Sequence, residues 1–121
     1  MKKEAIYSML FSRVYPLLID KAQKKGRSRE EVLLVTAWLT GYTQDDIEGF
    51  LDTDLSYGDF FRQAPRPSPH KSLITGTVCG VRVEDISDPL MRDIRCLDKL
   101  VDELAKGKAM EKILREPHSV S

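Results

Sequence analysis

The chain has 121 residues, of which 41% are hydrophobic and 31% are charged, and its 19 basic and 19 acidic side chains give a net charge of zero. This composition predicts one folded domain, excludes an intrinsically disordered chain, and provides no overall attraction to nucleic acids or anionic membranes. The apolar segment at the amino terminus is interrupted by Ser8 and is too short for a signal-peptide core or a bilayer span. Cys79 and Cys96 lack metal-site spacing, and we interpret both as reduced thiols of a cytoplasmic protein that does not associate with a membrane.

The first predicted helix covers about residues 13–25, where apolar side chains recur at helical spacing. Proline is tolerated in the first turn of a helix, so the start could equally lie at Tyr15 or Pro16. Five basic residues fall within residues 21–29, a segment that we name the basic turn: Lys21, Lys24, Lys25, Arg27 and Arg29. The favoured interpretation of this run is the preference of cations for helix C-termini.

A second helix is predicted from a capping-box signature, in which Ser28 is followed three residues later by Glu31. The helix should end near Thr40, before Gly41. Its body, VLLVTAWL, is apolar nearly all the way round, which predicts a central helix buried on several sides with Trp38 as its core anchor.

A third predicted helix is capped by Thr43 and turns Ile47, Phe50 and Leu51 inward. With the second helix it has the outline of a DNA-binding helix-turn-helix. Its other side, however, would present carboxylates to the phosphates of a duplex: Asp45, Glu48 and Asp52. Because affinity for DNA depends on neutralising phosphates with cations, the sequence argues against sequence-specific DNA binding.

The middle of the chain is predicted to connect two halves. A short helical turn at residues 57–61, capped by Ser56, should insert Phe60 or Phe61 into the core. The run APRPSPH at residues 64–70 contains three prolines and predicts an exposed connection. Residues 73–84 are rich in β-branched residues but broken by glycines, so a minor β-hairpin and an extended loop both stay open.

The last long helix should begin at Asp88 and Pro89, because proline suits the first helical position. Its apolar residues alternate at four- and three-residue steps, which favours a helix of an intramolecular bundle and leaves a dimer seam as the second interpretation: Leu90, Ile94, Leu97, Val101 and Leu104. A final helix carries Met110, Ile113 and Leu114. The sequence therefore predicts an all-α protein, a small orthogonal bundle of five to six short helices in a single domain of residues 1–116, with a disordered tail at 117–121.

Several blocks of the chain, among them WLTGYTQDDIEGFL and SLITGTVCGVRVEDISDPLMRDIRCLDKLVDELAKGKAMEKILR, resemble a bacterial family known as domain of unknown function 2200. The resemblance extends to about Arg115. It implies a bacterial, mainly helical and cytosolic protein, and it supplies no activity and no site residues.

The favoured functional class is a non-enzymatic protein-interaction or oligomerisation module whose partner is another protein or a second copy. This hypothesis depends on the apolar stripe of the last long helix and on Tyr42 and Tyr57, which could rim a groove near the proline-rich connection. The alternative is nucleic-acid or phosphate binding through the basic turn.

An enzyme of undefined reaction is the third possibility, and no catalytic residue is assigned. Cys79 has no base beside it, because His70 lies in the proline-rich connection and His118 in the tail. The spacing of Glu84, Asp85 and Asp88 fits no EF-hand loop, so the sequence predicts neither a metal nor a cofactor.

Overall fold

The computed structural model describes residues 4–78 and 80–115. These residues form seven α-helices and one two-stranded antiparallel hairpin: α1 (Glu4–Ser8), α2 (Phe11–Gln23), α3 (Arg29–Thr40), α4 (Gln44–Phe50), α5 (Tyr57–Arg62), β1 (Thr77–Val78), β2 (Val81–Arg82), α6 (Pro89–Ala105) and α7 (Met110–Ile113). Short 3-10 turns cover Lys71–Leu73 and Val83–Asp85. The predicted helical class with a minor hairpin is confirmed, and the helix beyond the expected six is α1. The predicted tail at 117–121 lies outside the described residues.

Helix α2 begins at Phe11, slightly before the predicted start at about Arg13 and a full turn before the alternatives at Tyr15 and Pro16. Backbone hydrogen bonds fix this earlier start, since the Phe11 amide donates to the Leu55 carbonyl at 2.9 Å and the Tyr57 amide donates to the Met9 carbonyl at 2.7 Å. Pro16 therefore lies inside the helix, with its ring exposed to solvent. Tertiary contacts thus override the local penalty of an interior proline.

Helix α6, rather than α3, is the central element of the fold. It contacts α2, α3, α5, α7, β1 and the second 3-10 turn. The side chains of its inward stripe have no exposed surface: Ile94, Leu97, Leu100, Val101 and Leu104. These side chains pack against other helices of the same chain. The predicted role of α6 as a helix of an intramolecular bundle is therefore confirmed, and the dimer-seam interpretation is wrong.

Helix α3 has two different faces. Its inner face is buried and consists of Val32, Leu33, Val35, Thr36, Leu39 and Thr40. Its outer face, formed by Leu34, Ala37 and Trp38, is only partly covered: Leu34 is 39% exposed, whereas Ala37 and Trp38 are partly buried and pack at the edge of the core. The prediction that α3 is buried by neighbours on several sides is confirmed, since α3 contacts α2, α4 and α6. The prediction that Trp38 anchors the core is wrong, because Trp38 is only partly buried.

An aromatic cluster joins α2, α5 and the turn before α4. The Phe11 ring stacks on Tyr15 and on Phe60 at centroid distances of 4.7 and 4.4 Å, and Tyr42 stacks on Phe60 at 4.8 Å. Phe60 has no exposed surface and Phe61 is also buried, so the predicted insertion of α5 into the core is confirmed.

The proline-rich connection at 64–70 packs against the C-terminus of α3. The Arg66 amide donates to the Thr40 carbonyl at 3.0 Å, and the Ser68 amide donates to the Leu39 carbonyl at 2.9 Å. Gly41 allows this approach, because its φ is 85° and a Cβ there would lie 2.6 Å from the Arg66 Cβ. The three prolines of the segment are exposed, as predicted, whereas Ser68 is buried. The segment also caps the C-terminus of α3, so it is more than a connection.

The hairpin pairs Thr77 with Arg82 and Val78 with Val81, so the extended-loop alternative is wrong. A side chain closes its base, since the Gly76 amide donates to Oε1 of Glu84 at 2.9 Å. Cys79 lies outside the described residues. Cys96 is a free, buried thiol, and burial raises its pKa to about 11.

Candidate functional site

The basic turn carries much less available charge than its sequence suggests. Lys21 lies 3.4 Å from Asp102, Lys24 lies 3.1 Å from Asp20, and Arg29 lies 2.7 Å from Glu48. Lys25 is exposed and has no ion pair among the described residues. In each of these pairs the carboxylate offsets the positive charge of the cation beside it. The basic turn is therefore not the strongly positive surface that binding to a polyanion requires.

Arg27 has a structural role within the basic turn. Its guanidinium contacts the Glu31 carboxylate at 2.7 Å and donates to the carbonyls of Leu104 and Lys108 at 3.2 and 2.8 Å. The hydrogen bond from Arg27, with a further one from the Ser28 amide, lowers the pKa of Glu31 to about 2. Arg27 thus joins the start of α3 to the C-terminal end of α6.

Tyr42 and Tyr57 are core residues. Tyr42 is 7% exposed and its hydroxyl donates to the Phe60 carbonyl at 2.8 Å, whereas Tyr57 is 1% exposed. Burial raises the pKa of both phenols, that of Tyr57 well above its usual value. Their rings are therefore not available at the surface, which contradicts the expectation that they rim a groove.

The outer face of α3 is a partly exposed apolar surface that the sequence did not predict. Leu34 and Trp38 are four residues apart and Ala37 lies between them, so all three side chains share one side of the helix. Glu30 precedes Leu34 by four residues on that side, and Arg66 lies at the opposite end, against Gly41. The sequence signal for this face is the apolar character of α3 nearly all the way round, which predicts a helix with neighbours on several sides.

A second surface feature is a cleft between the 3-10 turn Lys71–Leu73 and the start of α6. It has a volume of about 200 Å³ and is lined in part by Lys71, Arg92 and Asp93. An ion pair of 3.1 Å joins Lys71 to Asp93 at its inner edge. No sequence motif indicated this cleft, because the two segments that form it are far apart in the chain.

Neither a metal centre nor a membrane segment is visible in the part of the chain that the structure describes. Across residues 4–78 and 80–115, no three His, Cys, Asp or Glu side chains are grouped so that they could hold a metal ion. No helix in the same ranges combines the length and the apolar composition needed to cross a bilayer.

The fold and these surfaces define a small, mainly helical protein with two distinctive surface features, a partly exposed apolar helix face and a charged cleft. The chain belongs to the DUF2200 family, described as an uncharacterized protein conserved in bacteria, which it matches over residues 5–115. It is also similar to the crystal structure of uncharacterized protein SP1917, with 53% sequence identity, a TM-score of 0.90 and 93% of each chain covered. The comparison with curated proteins found no match. The family predicted from the sequence is confirmed.

Proposed function

We propose that this protein is a non-enzymatic, cytoplasmic association module that pairs with a second copy of itself through the outer face of α3. The observation that carries the proposal is the exposure of Leu34, 39% of whose surface faces solvent, beside the partly exposed Trp38. Large aromatic and aliphatic side chains that share one partly exposed helix face are typical of interface centres.

Charge complementarity favours a second copy as the occupant. The outer face has an acidic residue, Glu30, near its amino end, and the exposed basic residue Arg66 follows its carboxyl end, where the backbone of Arg66 lies against Gly41. If two α3 helices pack antiparallel about a two-fold axis, each Glu30 approaches the Arg66 end of its partner while Leu34 and Trp38 meet in the middle. Such an interface is self-complementary, as an isologous dimer requires.

The small outer face predicts weak dimerisation, and the net charge of zero predicts no overall electrostatic repulsion between the two copies. A net charge of zero gives no overall repulsion between two copies. The outer face, however, is a single short helix face, which places the interface at the small end of specific protein contacts. We therefore expect a dissociation constant on the order of 10 to 100 µM.

Sedimentation velocity over a range of protein concentrations tests the proposal. The wild-type protein should shift from monomer toward dimer as its concentration rises. Leu34→Glu should stay monomeric, because it places two carboxylates at the centre of the apolar contact.

Leu17→Glu is the matched control for this experiment, since Leu17 is 66% exposed on α2 and lies outside the outer face. It should associate as the wild type does. A wild-type protein that remains monomeric throughout, or equal loss of association in both variants, would contradict the proposal.

A further inference from the structure

The cleft beside α6 combines a half-open concave shape with polar and charged lining residues. Its volume is about 200 Å³, and its polar lining comes from Lys71, Ser72, Ser87, Arg92 and Asp93. Clefts that hold drug-sized molecules have volumes of roughly 300 to 1,000 Å³. This cleft therefore suits a smaller group, of the size of a phosphate or a short carboxylic acid.

The charges in the cleft do not cancel. Lys71 is paired with Asp93, with 3.1 Å between Nζ and Oδ1. The guanidinium of Arg92 makes no ion pair or side-chain hydrogen bond to residues 4–78 or 80–115, although the residue is partly buried. Two cations and one carboxylate leave a net charge of one positive unit on the lining side chains.

The chemistry of these groups selects an oxyanion. A guanidinium presents a planar fork of N–H donors that matches two oxygens of a phosphate or a carboxylate. The hydroxyls of Ser72 and Ser87 line the same cleft and can donate to further oxygens. The amino end of α6 adds little, because the Leu90 amide already donates to Oδ1 of Asp88 at 3.0 Å.

We propose that this cleft binds a small oxyanionic ligand, a phosphate monoester or a short carboxylic acid, with Arg92 as the principal contact. Lys71 and the two serine hydroxyls supply the secondary contacts. Asp93 orients Lys71 and at the same time opposes the anion, so it limits affinity. The site is independent of the proposed self-association, since it is formed by the Lys71–Leu73 turn and α6 and not by the outer face of α3.

Titration with inorganic phosphate and, separately, with acetate tests the proposal, with binding followed by NMR chemical shifts of the full-length protein. One of the two anions, or both, should bind saturably with millimolar affinity. The anion that binds more tightly shows whether the natural ligand carries a phosphate or a carboxylate group. Arg92→Gln should weaken binding at least tenfold. The matched control is Arg13→Gln, because Arg13 is exposed on α2 and distant in sequence from the cleft residues; its affinity should equal that of the wild type.

A second variant makes the test independent of damage to the fold. Asp93→Asn removes the carboxylate and releases Lys71, so it should tighten anion binding about fivefold. A misfolded variant would not bind more tightly. The proposal is overturned if neither anion binds saturably, if Arg92→Gln binds as the wild type does, or if Asp93→Asn binds more weakly.

Discussion

The two faces of α3 have nearly the same amino-acid character but different environments. Leu33 on the inner face is 3% exposed, whereas its chain neighbour Leu34 on the outer face is 39% exposed. The inner face packs in a helical core centred on α6, whereas the outer face is only partly covered, with Ala37 and Trp38 partly buried beside the exposed Leu34. The comparison teaches that an apolar helix need not be the central helix, because some of its apolar side chains can lie at the protein surface.

The largest expected effect separates these two leucines directly. Leu33→Ala should lower the free energy of unfolding by about 3 kcal/mol, since it leaves a cavity in a packed core. Leu34→Ala removes the same atoms from a partly solvated position and should cost less than about 1 kcal/mol. Chemical denaturation of both variants at low protein concentration measures the difference. Equal destabilisation would show that the two faces are buried alike.

Arg27 lies at the amino end of α3 and should give the next largest effect. Arg27→Ala should destabilise the protein by about 2 kcal/mol, because it removes charged hydrogen bonds to Glu31 and to the carbonyls of Leu104 and Lys108. Lys25→Ala, in the same basic turn but without an ion pair among the described residues, should change stability by less than about 0.5 kcal/mol. A cost of similar size for both variants would contradict the structural role of Arg27.

The same variant should also alter the response to acid. The pKa of Glu31 is lowered to about 2 in the folded protein from an ordinary value of 4.5, so its stabilisation is complete above pH 4.5 and is lost as the pH falls toward 2. Arg27→Ala removes the main cause of that shift. The difference in stability between wild type and variant should therefore shrink as the pH falls through this window, and a constant difference would contradict the assignment.

The local parts of this fold could be predicted from the sequence, because their causes are local. The predicted capping box of Ser28 with Glu31 and the predicted Thr43 cap both form, since each needs only residues within one helical turn. The exposure of individual α3 side chains could not be predicted in this way, because periodicity shows which side chains are apolar and not which neighbours pack on them. The partly exposed position of Trp38 was missed for that reason.

The candidate sites depended even more on tertiary structure. The cleft brings Lys71 beside Asp93, which lies 22 residues away in sequence, and no short-range pattern encodes that approach. Conversely, the basic turn is conspicuous in the sequence, yet most of its cations form ion pairs, some within one helical turn, as between Lys24 and Asp20, and some across helices, as between Lys21 and Asp102. The sequence shows where cations are dense, but it does not show which of them lack an ion pair in the folded protein.

A smaller effect is expected from reversing the charges at the two ends of the outer face. Glu30→Arg alone should weaken dimerisation about threefold to tenfold at low salt, because it brings like charges together at both ends of the antiparallel pair. Adding Arg66→Glu should restore the affinity. Sedimentation equilibrium of the two variants measures this. If the double variant is as weak as the single one, the antiparallel arrangement is wrong.

The fluorescence of Trp38, the one tryptophan of the chain, tests the association most directly because the indole lies on the outer face. We predict that its emission moves to shorter wavelength as protein concentration rises, over the range in which the sedimentation coefficient increases, since dimerisation removes water from the ring. Leu34→Glu should show neither change. An emission spectrum that stays constant while the mass doubles would place the interface elsewhere and contradict the account.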